Sequence, residues 1–250
     1  MDRTMKSANL AFLILLMLTA AANAEVPEYT AKKTASVMAM DGILDEPAWQ
    51  KAASVGDFVF PWYKDGEQEQ TVAKIVWDDK RIYFAFKCDD KYVWADHYTH
   101  HSAVYQDDTC EAFIRPGDPN GSDSLDYINY EINCIGSYLA GYHGKSRGVD
   151  FRWKDVSGIE IGRSIDGTVN DDSDIDKGWV LEFSIPLEHF KDFGQAYPPK
   201  NGQLIYIGLN RLGGKTNYQY SQWAPSLTPK PQFHSPKDFG KVIFSTDVLK

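Results

Sequence analysis

The sequence predicts an all-β protein, an antiparallel β-sandwich with one or two short helices. Three observations carry that expectation. Apolar residues recur with period two in short runs, and turn residues separate the runs. No sustained helical period follows Ala24. There is no repeat of about 20–50 residues and no low-complexity tract, which argues against a solenoid or a fibrous chain. Residues 25–250 are expected to form one such domain.

Residues 1–24 read as a secretory signal peptide. Arg3 and Lys6 give a basic start, Leu10 to Leu18 an apolar run, and Ala22-Asn23-Ala24 a small-x-small cleavage site. A membrane span needs about 20 apolar residues, and this run is shorter. Export to the periplasm or the cell exterior is therefore expected.

Residues 25–40 lead in with weak strand character. Asp41-Gly42 is a turn signal, and Asp45 is expected to cap a short helix with Glu46 and Pro47 in its first turn. Ala48, Trp49 and Ala52 then share a face, with Trp49 closing a core edge. Thr71–Trp77 and Ile82–Cys88 alternate around Asp78-Asp79-Lys80-Arg81 and read as a hairpin. Residues 91–106 form a long polar and aromatic connection. A strand follows over Thr109–Arg115, then a loop at Pro116–Asp123.

Tyr127–Cys134 alternates cleanly, with Ile128, Tyr130 and Ile132 opposite Asn129, Glu131 and Asn133. Ser137–Tyr142 is a further candidate strand, and residues 143–153 read as an exposed basic loop. Ile159–Ile165 and Trp179–Pro186 are strands flanking an acidic turn. Leu187–Phe193 suits a helical turn. Leu204–Leu209 reads as a buried strand, Asn210–Gln219 as a loop, Tyr220–Ala224 as a short strand with Trp223, and Lys241–Phe244 as the last strand.

The chain is acidic, with Asp and Glu at 35 against Lys and Arg at 26 and a formal charge of −9. That balance disfavours nucleic acid and anionic membranes, whose binding needs basic patches. No stretch after Ala24 is apolar for long enough to span a membrane. Cys88, Cys110 and Cys134 are odd in number, so at least one is free unless chains pair. Buried free thiols are the expected state, with one bridge as the alternative. Cys-x-x-Cys spacing is absent, which disfavours zinc.

Within Tyr105–Pro116, Glu111 interrupts an apolar run. A buried carboxylate without a partner is costly, so Glu111 faces solvent, a partner or a ligand. Thr109, Phe113 and Arg115 would share its face, and the Asn129-Glu131-Asn133 side of the following strand is placed beside it. A solvated outer face of the sandwich is the competing reading. Carboxylates and amides next to aromatic rings suit a sugar, which has an apolar C–H face and a rim of hydroxyls. Trp62, Trp94, Trp153 and Trp223 are candidate platforms, and Trp223 stands out because Asn210, Arg211 and Gln222 lie near it in sequence.

Acidic residues also gather around residues 89–108, where Asp89, Asp90 and Asp107 are candidate ligands for a structural calcium. The Asn170–Asp176 series resembles the start of an EF-hand loop but has Ile175 where glycine is required. His97, His100 and His101 read as a surface cluster. Asp108, Glu111 and Glu131 are candidates for glycoside hydrolysis, though nothing in the sequence fixes their separation. Nucleophile-elbow, phosphate-loop and dinucleotide fingerprints are absent.

Several stretches together resemble the family 9 carbohydrate-binding modules and their DOMON-type relatives. They are Asp41–Trp49, Asp107–Ile114, Tyr130–Asn133, Gly178–Pro186 and Phe239–Phe244, in family order. The resemblance implies an immunoglobulin-like or jelly-roll sandwich that binds a mono- or oligosaccharide between two aromatic side chains; a non-catalytic, monomeric module is the expected form. It implies Tyr105 and Trp223 as the aromatic pair, Glu111 as hydroxyl partner, Asn210-Arg211 as a polar pair, and structural calcium. Tyr105 stands where tryptophan is usual, and Glu131 near where a sugar-binding arginine is expected. The alternatives are a glycoside-processing enzyme and a haem-binding electron-transfer domain. Haem is disfavoured, because Met38 and Met40 are the only methionines after Ala24.

Overall fold

The computed structural model describes residues 26–117, 124–144, 149–153, 157–193 and 197–249. The expected signal peptide, most of the Pro116–Asp123 loop and the side chain of Trp153 lie outside the described part. The elements are β1 (Glu28–Thr34), α1 (Pro47–Lys51), β2 (Thr71–Trp77), β3 (Arg81–Asp89), β4 (Thr109–Arg115), β5 (Tyr127–Asn133), β6 (Tyr138–Gly144), β7 (Val149–Trp153), β8 (Glu160–Asp166), β9 (Gly178–Pro186), β10 (Leu204–Leu212), β11 (Tyr220–Gln222) and β12 (Gly240–Leu249). Short 3-10 turns occupy Val104–Gln106 and Leu187–Phe193. Among the described residues, no helix is long and apolar enough to cross a membrane.

The strands run in the order β7-β6-β5-β4-β10-β12-β1-β2-β3-β9-β8, with β11 on β10. The expected all-antiparallel pairing fails at one strand. β1 pairs parallel with both β12 and β2, so the sheet is mixed. β1 thereby joins two halves, and their inner faces close on each other. Cys88 Sγ of β3 lies 3.4 Å from Cys110 Sγ of β4. Tyr130 OH of β5 reaches His189 Nδ1 at 3.1 Å. Between them the core gathers Phe84, Phe86 and Phe183 with Ala112, Ile114, Ile128, Ile132, Ile207 and Leu209. Burying each large apolar side chain contributes about 1.5–3 kcal/mol. The sandwich is therefore all-β, as period two predicts.

Each half has its outer face covered differently. On the β2–β3–β9 half, α1 lays Trp49 and Ala48 against Val76, Tyr83 and Ala85. Trp49 Nε1 donates to Glu182 Oε1 at 2.6 Å, and Gly42 N donates to Oε2 at 2.8 Å. Asp45 does not cap the helix. Glu46 holds the cap position with no side-chain cap bond, and its Oε1 instead accepts from Ala39 N at 2.9 Å. Gly42 has φ +86, and a Cβ there would stand 2.2 Å from the backbone of Arg163, so only glycine fits this turn.

Two boundary expectations change. Val149–Trp153 is a strand at the sheet edge on β6, not a loop, because β6 offers it a free edge. β10 runs on through Asn210, Arg211 and Leu212, because β4 and β11 pair with those residues from either side.

Candidate functional site

On the outer face of the other half, β10, β4, β5 and β6 place one row of side chains in register. Asn210 pairs with Glu111, Glu111 with Glu131, and Glu131 with Leu139. Gln222 of β11 extends the row on the other side of Asn210. Alternation puts Cys110, Ala112 and Ile132 inward and leaves this row outward. The face is outward in the sheet yet withdrawn from water, for Glu111 is only 2% exposed and Glu131 3%. Phe113, Tyr127, Leu212, Phe233 and Phe239 form a second apolar cluster over it, so it is no solvated outer face.

Each glutamate is held by an asparagine whose amide is itself oriented. Asn210 Nδ2 donates to Glu111 Oε2 at 3.0 Å, while Gln222 Nε2 donates to Asn210 Oδ1 at 3.1 Å. Asn129 Nδ2 donates to Glu131 Oε1 at 2.7 Å, and Asn129 Oδ1 lies 3.0 Å from His143 Nε2. Glu131 Oε2 is buried and has no hydrogen-bond partner among the described residues. Burial and the charge of Glu131 push the Glu111 carboxyl well above its ordinary range, against the pull of Asn210. Burial raises Glu131 to about 7, opposed by its bond from Asn129. Burial also lowers His234, which keeps it neutral at neutral pH.

Glu111 and Glu131 of this row, with Asn129, floor a cavity of about 690 Å³, the size of a small-molecule site, and Asn210 and Gln222 back Glu111 from outside its lining. Its walls are Tyr105 and Gln106 from the turn before β4, Leu139 and His143 from β6, Leu212, Tyr218 and Tyr220 from the β10–β11 hairpin, and Pro231 to His234. Tyr105 is 46% exposed and Tyr218 71%, so both line the cavity with open side chains. Behind them, Trp62 packs on Tyr220 and Phe233 and donates from Nε1 to Thr228 O at 2.8 Å, which anchors the segment before Phe233. His234 is fixed by Tyr127 OH at 2.7 Å.

Aspartates around the connection before β4 position these walls and the strands beneath them. Asp107 accepts from Asp96 N, His97 N, His97 Nδ1 and Asn133 Nδ2 at 2.8–3.1 Å, beside the turn that carries Tyr105. Asp108 accepts from Trp94 N and Gly214 N, both at 2.5 Å, and so ties the start of β4 to the loop that carries Tyr218. Asp90 accepts from Arg211 at 2.6 Å, from Trp179 Nε1 at 3.1 Å and from Tyr92 N at 3.1 Å. Among the described residues no three His, Cys, Asp or Glu side chains gather as a metal site. Of the three aspartates expected to hold calcium, Asp90 and Asp107 have their carboxylates engaged by these protein donors.

Tyr105, Glu111, Glu131 and the Glu111-bound Asn210 come together at the cavity; Arg211 and Trp223 do not. Arg211 faces inward beside Cys110, fully buried between Asp90 and Asp108, with its guanidinium 5.1 Å from the Trp179 ring. Trp223 follows Gln222, whose side chain faces the site, so its own side chain turns the other way. Its ring packs where a Cβ on Gly240 would stand 2.5 Å away, within the core. Tyr218, Tyr220, Phe233, His143 and His234 were missed from sequence. The Tyr218-Gln219-Tyr220 pair beside a strand of site residues was the available signal for two of them.

No curated protein matches the chain. Solved structures do. A protein from Bacteroides uniformis proposed to bind carbohydrate aligns with a TM-score of 0.68 at 18% identity, over 88% of this chain and 100% of that one. A family 9 carbohydrate-binding module from Caldicellulosiruptor kristjanssonii, solved with cellotriose, aligns at 0.60 and 15% identity over 88% of this chain and 94% of its own. The same kind of module with glucose aligns at 0.59 and 15%, over 87% and 96%. At these identities the likeness concerns the fold. The model of carbohydrate-binding family 9 matches residues 43–244, which takes in every strand from β2 to β11 and the floor of the cavity, and the chain belongs to that family.

Proposed function

We propose that this chain is an exported, monomeric, non-catalytic module that binds a saccharide in the cavity over β4, β5, β6 and β10. Tyr105 and Tyr218 serve as the aromatic walls, and Glu111 and Glu131 as the polar floor, with Asn210 behind Glu111. The observation that carries the reading is the floor itself, two oriented carboxylates at the base of an aromatic-walled cavity, one with an oxygen that lacks a donor. A sugar hydroxyl supplies such a donor, and the C–H face of the ring lies on tyrosine. Cellotriose and glucose bound to the Caldicellulosiruptor modules support the ligand class.

Hydrolysis draws on the same two glutamates but suits them less. A glycosidase flanks the scissile bond with its carboxyl groups, whereas Glu111 and Glu131 sit side by side on one sheet face. A glycan array followed by titration calorimetry tests the binding reading. Glu111→Gln and Tyr218→Ala are each expected to weaken binding at least about tenfold, the size of one lost hydrogen bond or ring contact. Wild-type protein that binds no glycan, or variants that bind as well as wild type, would refute it.

A further inference from the structure

We propose that the saccharide end taken by this cavity carries a primary ammonium group, so that the ligand is an amino sugar with a free amine, held over the Glu111–Glu131 pair. The proposal rests on the sugar-binding reading above and narrows it to one ligand chemistry.

Four observations point the same way. Glu111 and Glu131 are direct cross-strand partners, so two carboxyl groups share the floor. Like-charged side chains directly opposite each other destabilise a strand pair unless something neutralises them. Among the described lining residues there is no lysine or arginine to do so. Of the two guanidinium groups on the strands that carry the floor, Arg211 points to the opposite face and is committed to Asp90 and Asp108, and Arg115, at the far end of β4, lies over the Tyr206 ring at 3.9 Å and does not line the cavity. Glu131 Oε2 is buried without a donor, and the amide that does reach this carboxylate bonds only Oε1. The walls around the pair are aromatic, and aromatic faces attract a cation through the ring quadrupole.

Other titratable groups facing the pair are Tyr127 on β5, His143 on β6, His234, and the tyrosines of the rim. Burial keeps His234 and Tyr127 in their neutral forms. Without ligand, the pair is neutralised by holding a proton, in keeping with both carboxyls being raised. An ammonium group takes the place of that proton. Carboxylated or sulfated sugars meet two acidic groups and no lysine or arginine, and are expected not to bind.

Titration calorimetry at pH 7.5 with glucosamine and deacetylated chitobiose against glucose, cellobiose, N-acetylglucosamine and glucuronate tests this. Free amines are expected to bind about tenfold or more tighter than their neutral counterparts, the scale of a desolvated cation–carboxylate and cation–π contact, with glucuronate not bound. Glu131→Gln is expected to bring the amine-to-neutral ratio to about one, with Glu111→Gln as a second variant should the first fail to fold. Neutral sugars that bind as tightly as amines would overturn the proposal and leave the sugar site standing. Glucuronate binding as well as glucose would overturn it too. Failure of all six ligands would overturn both readings.

Discussion

Glu131 is one of several buried carboxyl groups through which pH acts on this protein. Its carboxyl rises from the ordinary 4.5 to about 7 because it is buried, against the bond from Asn129. Between those two pH values the folded chain keeps a proton that the unfolded chain has lost. Stability therefore falls as pH rises from about 4.5 to about 7, the reverse of an ion-paired carboxylate. Replacing Glu131 by glutamine removes that penalty. Thermal unfolding at pH 8 is expected to show Glu131→Gln more stable than wild type by about 1–3 kcal/mol, with little difference at pH 4. A loss of stability at pH 8 would mean that the carboxylate is satisfied by a partner. Trp223 gives the opposite case. It is core, so Trp223→Ala is expected to cost about 3–5 kcal/mol, yet the protein that remains folded should bind sugar as wild type does.

At the scale of elements, β10 sends its two polar residues to opposite sides. Asn210 goes to Glu111 behind the cavity floor and Arg211 to a buried ion pair that links the end of β3, the start of β4 and β10. Removing Arg211 leaves Asp90 and Asp108 buried without their cation. Arg211→Ala is expected to cost about 3–5 kcal/mol by chemical denaturation; a change below about 1 kcal/mol would show that the backbone donors to Asp108 suffice. This strand also marks how far the sequence can be read. Period two located nearly every strand, and it put Glu111 and Glu131 on one side of adjacent strands. The same parity would have turned Arg211 inward had the strand been carried past Leu209. The loop signal of Asn210–Gln219 hid that, since strand pairing by β4 and β11 is tertiary. The wall from Pro231 to His234 had no signal at all, because it reaches the site only by packing across Trp62 and Tyr127.

Over the whole molecule, a mixed sheet closes on itself through the parallel strand β1, and its core holds all three cysteines. They are free and buried, with Cys88 and Cys110 in contact across the sandwich. Burial pushes the Cys110 and Cys134 thiols well up, which removes the reactive thiolate. An aromatic disulfide reagent is expected to find no reactive thiol in the native protein and three after denaturation; one after denaturation would reveal a bridge between two of them. The aromatic-walled cavity on one outer face is the place proposed for the ligand, while α1 packs on the other. Chemical-shift mapping of the nitrogen-15-labelled protein with glucose and with glucosamine tests that placement most directly. The amides of Glu111, Asn129, Glu131 and Tyr218 are expected to move together on titration while those of Trp49 and Glu182 stay still. Shifts centred on α1, or none in the β4–β5 pair, would contradict it.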